Sequence, residues 1–113
     1  MIKKLQQVED VMGLAGGKGP ATKGDWVTEE ECPPNLNLCA TVTLKPGSTV
    51  GEHTHTGEAE IYHLISGNGE YNDNGTVVPV QAGDVTICYD GEMHGLVNTG
   101  KVDLVFYAII VNG

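Results

Sequence analysis

The sequence predicts an all-β fold of one domain, an antiparallel sandwich or barrel of the jelly-roll type. Three observations carry this. Runs rich in β-branched and aromatic residues recur from residue 36 onward. Turn residues separate them roughly every 8–12 positions. The 16 glycines gather in small clusters with Asn, Asp and Pro, punctuation that suits many short strands better than a few helices. A chain of 113 residues has room for one core and not two.

Taken in order, residues 1–31 read as an irregular arm that packs on the main body and is not a domain of its own. Gly16-Gly17-Lys18-Gly19-Pro20 is a flexible break, and Glu29-Glu30-Glu31 before Cys32-Pro33-Pro34 is a second. Residues 5–14 are the one window that could carry a short amphipathic helix. Trp26, the only tryptophan, is expected to anchor the arm. The body spans residues 36–111. A strand over 38–44 ends at Lys45-Pro46-Gly47-Ser48, and residues 51–55 can be extended. A strand over 60–65 is closed by Ser66-Gly67-Asn68-Gly69. Residues 70–73 and 76–80 flank Asn74-Gly75, a strong two-residue hairpin signal. Strands over 85–89, 94–98 and 102–111 follow the turns at Gly83, Gly91 and Gly100, which makes about eight strands.

Charge narrows the partners. Six lysines face fifteen acids with no arginine, for a formal net charge of −9. Such a chain repels nucleic acid and anionic lipid, so neither is expected as a partner. No side chain can fork two parallel hydrogen bonds onto a carboxylate or phosphate. The lysines, at positions 3, 4, 18, 23, 45 and 101, fall in the N-terminal region or beside turns. A cationic clamp inside the fold is therefore not expected.

Three cysteines, Cys32, Cys39 and Cys88, are an odd number without a spacing pattern, which argues for reduced thiols in a cytoplasmic protein. Met1-Ile2-Lys3-Lys4 is followed by polar residues and not by an apolar signal core. The longest apolar run, residues 104–111, is too short to cross a bilayer as a helix.

The stretch Gly51-Glu52-His53-Thr54-His55-Thr56-Gly57-Glu58-Ala59-Glu60 asks for an explanation. Side chains alternate faces along a strand. His53 and His55 then share a face, Glu60, Tyr62 and Leu64 share one face of the next strand, and His94, Leu96 and Asn98 share a face of a later one. His63 falls on the face opposite Glu60, toward the exterior. If the three faces point into one barrel, three imidazoles and a carboxylate converge, a donor set that suits a divalent transition metal. Glu58 is the rival carboxylate, and Glu52 alternates away from the histidines.

At these residues the sequence resembles the cupins, a superfamily of small β-barrels. Gly47, His53, His55, Glu60 and Gly67 fill every fixed place of the first cupin motif. Gly83, Gly91, His94 and Asn98 fit the second, while Tyr89 stands where proline is usual. The spacer, residues 68–82, resembles that of small microbial cupins. The resemblance spans about residues 36–111 and implies a double-stranded β-helix, or jelly-roll, barrel carrying the N-terminal arm. It implies metal ligation by His53, His55, Glu60 and His94, with Gly51 and Gly57 turning the backbone on either side. The metal would be one divalent ion per chain: zinc, iron, nickel, manganese or copper. Tyr62 and Asn98 either line the pocket or pack and hydrogen-bond within the core. Tyr89 either narrows the mouth or simply packs, and Cys88 is a small strand residue.

The resemblance implies one of two functions. The first is a metal-dependent enzyme of dioxygenase, isomerase or lyase type acting on a small metal-chelating oxygenated compound. The second is a metal-loaded module that binds or senses a small molecule without turnover. A flavonol-like enol or a diketone fits the charge argument, whereas phosphosugars and oxalate fit poorly without a cationic clamp. A homodimer is expected, because a small barrel has short edges and the arm could cover a neighbour's.

Overall fold

The computed structural model describes residues 1–5 and 8–112. Ten strands make up the described chain: β1 (Glu9–Met12), β2 (Pro20–Asp25), β3 (Leu36–Leu44), β4 (Thr49–Thr54), β5 (Glu58–Ser66), β6 (Asn68–Asp73), β7 (Thr76–Gln81), β8 (Val85–Cys88), β9 (Met93–Val97) and β10 (Leu104–Asn112). They form two antiparallel sheets, one in the order β1-β2-β3-β10-β5-β8 and the other β4-β9-β6-β7. The eight strands from β3 onward lie where the turn signals put them, within two residues at each boundary. Asn74 and Gly75 have φ of 52° and 95°. Both are positive, as the tight hairpin turn closing β6 onto β7 requires.

The core is the space between the sheets, filled by alternate residues of each strand. Ala40, Val42 and Leu44 of β3, Leu64 of β5 and Phe106 of β10 face Val50 of β4, Tyr71 of β6 and Leu96 of β9. Burial of each such Leu or Phe stabilises by about 1.5–3 kcal/mol.

The N-terminal third is more regular than expected. β2 pairs with β3 from Ala21↔Leu44 to Asp25↔Ala40, and β1 pairs with β2. The arm thus extends its own chain's six-stranded sheet. In place of the expected helix stand β1 and a short 3₁₀ turn at Leu14–Gly16, while residues 6 and 7 of that window lie outside the described residues. The physical reason is length and glycine: an isolated helix this short is marginal, and Gly13 adopts a left-handed φ of 71°. Pairing with β2 supplies the backbone partners instead. Trp26 does anchor the arm. Its indole Nε1 donates to Thr41 Oγ1 at 2.8 Å, and its ring meets Tyr107 edge-on at 5.0 Å.

Two glycines bring the arm against β4. A Cβ on Gly17 would stand 2.3 Å from the Thr49 carbonyl oxygen, and one on Gly51 would stand 2.3 Å from that of Ala15. Gly51 is therefore a site of close backbone approach within β4 and not a turn. Gly57, with φ of 74°, does turn.

Candidate metal centre

Four side chains from both sheets meet at one end of the barrel. His53 on β4 and His94 on β9 are direct cross-strand partners, so their side chains leave the same face. His55 follows β4 immediately and is pinned to the loop before β9: its N–H donates to the Glu92 carbonyl, and its own carbonyl accepts from Gly91 N–H. Glu60 reaches across from β5 in the other sheet. His55, Glu60 and His94 are buried, and His53 is partly exposed.

The donor atoms of the four lie within 4.8 Å of one another. His94 Nε2 is 2.9 Å from Glu60 Oε1, 3.0 Å from His55 Nε2 and 3.1 Å from His53 Nε2. His55 Nε2 is 3.0 Å from Glu60 Oε1. Hydrogen bonding alone does not explain this arrangement, because a single proton on His94 Nε2 can serve only one of three neighbours. Two donors about 2.1 Å from one ion and at right angles stand about 3.0 Å apart. The spacing and the chemistry of the donor set therefore fit a divalent metal.

The opposite ring nitrogens are held as metal-binding imidazoles require. His53 Nδ1 lies 2.7 Å from the Gly51 carbonyl oxygen, His94 Nδ1 lies 2.8 Å from Tyr71 Oη, and His55 Nδ1 lies 3.4 Å from Glu58 Oε1. Each acceptor favours the tautomer with hydrogen on Nδ1, which leaves the Nε2 lone pair facing the cluster. Glu58 thus stands behind His55 and outside the cluster. Tyr71 was not singled out by sequence reasoning. It shares the inward face of β6, but its role shows only once β6 is known to pair with β9.

Burial pushes the Glu60 carboxyl up, but hydrogen bonds from His53 and His94 outweigh it and hold the group at about 2. The same carboxylate raises His53, whereas burial lowers His94. The Tyr62 phenol is lifted well above its usual range, first by burial and then by the charge of Glu60. Its ring stacks on His94 at 4.8 Å. Cys88 sits across from Glu60 in the β5–β8 pair, and burial pushes its thiol up to about 11.

A cavity of about 230 Å³ opens on the cluster. His53, His55, Glu60 and Tyr62 line it along with apolar residues that include Val42, Val50 and Phe106. It is smaller than the roughly 300–1,000 Å³ of pockets for drug-sized ligands. A larger surface hollow of about 730 Å³, around Gly67 and Val80, contains none of the four donors. The lysine reading needs correction: Lys23 of β2 is on the cavity wall. Its cross-strand partner is the inward-facing Val42, a register that the sequence alone does not reveal.

Asn98 is not brought to the cavity. Its amide donates to the Leu44 and Val102 carbonyls and accepts from Gly100 N–H, tying the turn before β10. Tyr89 is exposed and does not line the mouth. Its N–H donates to Glu92 Oε1 at 2.8 Å, a bond that proline at this position would lack. His63 is exposed, and Glu52 accepts from Asn72 at the surface. No helix among the described residues is long and apolar enough to cross a membrane.

A family profile for the cupin domain matches residues 40–110. The oxalate-binding protein of Thermotoga maritima is 42% identical over 103 residues, 91% of this chain and 85% of its own. A crystal structure described as a predicted oxalate decarboxylase from Thermotoga maritima superposes with a TM-score of 0.90 at 40% identity, covering 94% of this chain and 92% of that one. An uncharacterized conserved protein with a double-stranded β-helix domain from Klebsiella pneumoniae gives a TM-score of 0.65 at 30% identity, with 70% of each chain covered. The profile match takes in well over half of the sequence, including the strands that bring the four donors together, and the chain belongs to the cupin family.

Proposed function

We propose that this cupin holds one divalent transition metal through His53, His55, Glu60 and His94 and binds a small chelating carboxylate there, oxalate or a close analogue. The observation that carries the reading is the convergence of four donor atoms beside a small cavity that His53, His55 and Glu60 line. A bound divalent metal supplies Lewis-acid attraction for an oxyanion. The chain's own residues set the terms. Three neutral imidazoles and one carboxylate leave a dication with one net positive charge. The apolar wall at Val42, Val50 and Phe106 keeps water from competing. The cavity volume favours a ligand of a few heavy atoms over a flavonol-like enol.

The oxalate expectation changes with these findings. The argument against oxalate rests on the missing guanidinium fork, but two oxygens chelating one metal do not need that fork. The descriptions of the Thermotoga maritima relatives, as an oxalate-binding protein and a predicted oxalate decarboxylase, support the same ligand class.

Binding without turnover is the preferred reading, because no base stands free on the described cavity wall. Glu60 belongs to the donor set, and the Tyr62 phenol stays protonated at neutral pH. An enzyme of lyase, isomerase or dioxygenase type is the second reading, favoured by a set of only four donors, which would leave a six-coordinate metal room for substrate. Metal analysis of protein purified without added metal is expected to find about one ion per chain. Calorimetry is expected to show oxalate binding that disappears after chelator treatment. Release of formate or carbon dioxide from oxalate, assayed under air and under nitrogen, would shift the reading to an enzyme. Protein that takes up no metal would overturn both.

A further inference from the structure

We propose that Lys23 forms an anion subsite at the mouth of the cavity and selects ligands that keep a negative charge beyond the oxygens on the metal, such as oxalate and other short dicarboxylates. The inference rests on the reading of the four-donor cluster as a metal centre. Register supports it first. Ala21, Lys23 and Asp25 alternate on the inner face of β2, and Lys23 stands opposite Val42. That puts one lysine side chain on the same cavity wall as His53, His55 and Glu60, whereas no other lysine lines it.

Partnering supports it next. A lysine against an apolar wall is normally paired. Among the described residues the one ion pair of Lys23 is with Asp25, and it is long at 3.5 Å. Asp25 Oδ1 is itself buried and makes no hydrogen bond. Glu9, the cross-strand partner on β1, is exposed and forms no ion pair with Lys23. Among the described residues the ammonium makes only that one long contact, to Asp25 Oδ1, and its hydrogens can turn to an incoming anion. The side chain is 30% exposed, enough to meet an incoming ion. In a chain of net charge −9, a local cation at the entrance also offsets the field that a dianion meets on its way in.

The test compares two chelators on the metal-loaded protein by calorimetry: oxalate, and acetohydroxamic acid, which chelates through a hydroxamate and carries no carboxylate. Lys23→Met is expected to weaken oxalate by ~10-fold or more, the scale of one charge-assisted hydrogen bond. Acetohydroxamate affinity is expected to change by less than about twofold, because its charge is used at the metal. Lys23→Arg is expected to restore most of the oxalate affinity. A second measurement needs no variant: oxalate should slow acetylation of Lys23 in the native metal-loaded protein while leaving the exposed Lys18 unaffected. Equal oxalate affinity in wild type and Lys23→Met, or equal losses for both chelators, would overturn the subsite and leave the metal reading standing. Metal-loaded wild type that does not bind oxalate would overturn the ligand class and the subsite together.

Discussion

His94 is held between two tyrosines, stacked on the ring of Tyr62 and 2.8 Å from the phenol oxygen of Tyr71. The Tyr71 contact sets the direction of the imidazole. With hydrogen on Nδ1 committed to Tyr71, Nε2 has its lone pair toward Glu60 and His53. Tyr71→Phe removes the acceptor and keeps the ring. The expected outcome is a folded barrel whose metal affinity falls about 10–100-fold, measured by competition with a fluorescent chelator. Unchanged affinity would show that packing by Tyr62 alone fixes the ring.

Replacing a donor should remove the ion altogether. His53→Ala or His94→Ala is expected to abolish stoichiometric metal by elemental analysis. His63→Ala, an exposed histidine near Tyr107, is expected to retain it. Full occupancy in His94→Ala would break the site assignment. Glu60→Gln keeps the shape and removes the one anionic donor, so weaker metal binding is expected there too.

The pKa directions fix the sign of the pH dependence. Glu60 is held at about 2, below its ordinary 4.5, so the stability it contributes is present above 4.5 and lost as pH falls toward about 2. His94 is lowered, so its neutral form is favoured and protonation below 6.5 destabilises. His53 is raised, so its contribution is complete below 6.5 and lost as pH rises through its folded value. A metal needs all three imidazoles neutral, and His53 protonates more readily than His94. Bound metal is therefore expected to fall as pH drops through ~6.5 and below. Dialysis over a pH series followed by metal analysis measures this. Retention of metal down to about pH 4 would place control at the carboxylate instead.

A homodimer is the expected state in solution. The arm pairs with β3 of its own chain, and the opposite edge of that sheet, at β8, offers a second surface for the contact. Ile65 of β5 and Val85 and Ile87 of β8, each more than a third exposed, leave an apolar strip at that sheet edge. Light scattering at tens of micromolar should give twice the chain mass, and Ile87→Glu should give a monomer. A monomeric wild type would sink the prediction.

The readable parts of the chain were those with local signals. Asn74-Gly75 fixed a hairpin by backbone preference, and His53-x-His55 fixed a shared face by alternation. β2 hid itself because its inner face mixes Ala21 with Lys23 and Asp25, which breaks the apolar rhythm of a buried strand. Lys23 and Tyr71 escaped notice for a related reason. Each acquires its role from a neighbouring strand far away in sequence, and no single-strand pattern encodes that adjacency. Asn98 shows the converse. Its parity matched that of His94, but four residues farther along the chain its amide serves a turn at the other end of the strand.

The contact between Gly17 and Gly51 bears on engineering the substrate range. Leu14 and Ala15, just before Gly17, form part of the cavity wall, and they stay there because neither glycine carries a side chain. A methyl group on Gly17 would collide with the Thr49 carbonyl oxygen and push the arm outward. The entrance would widen while all four donors kept their places. One small substitution at Gly17, outside the strands that carry the four candidate donors, thus offers a way to admit bulkier chelators.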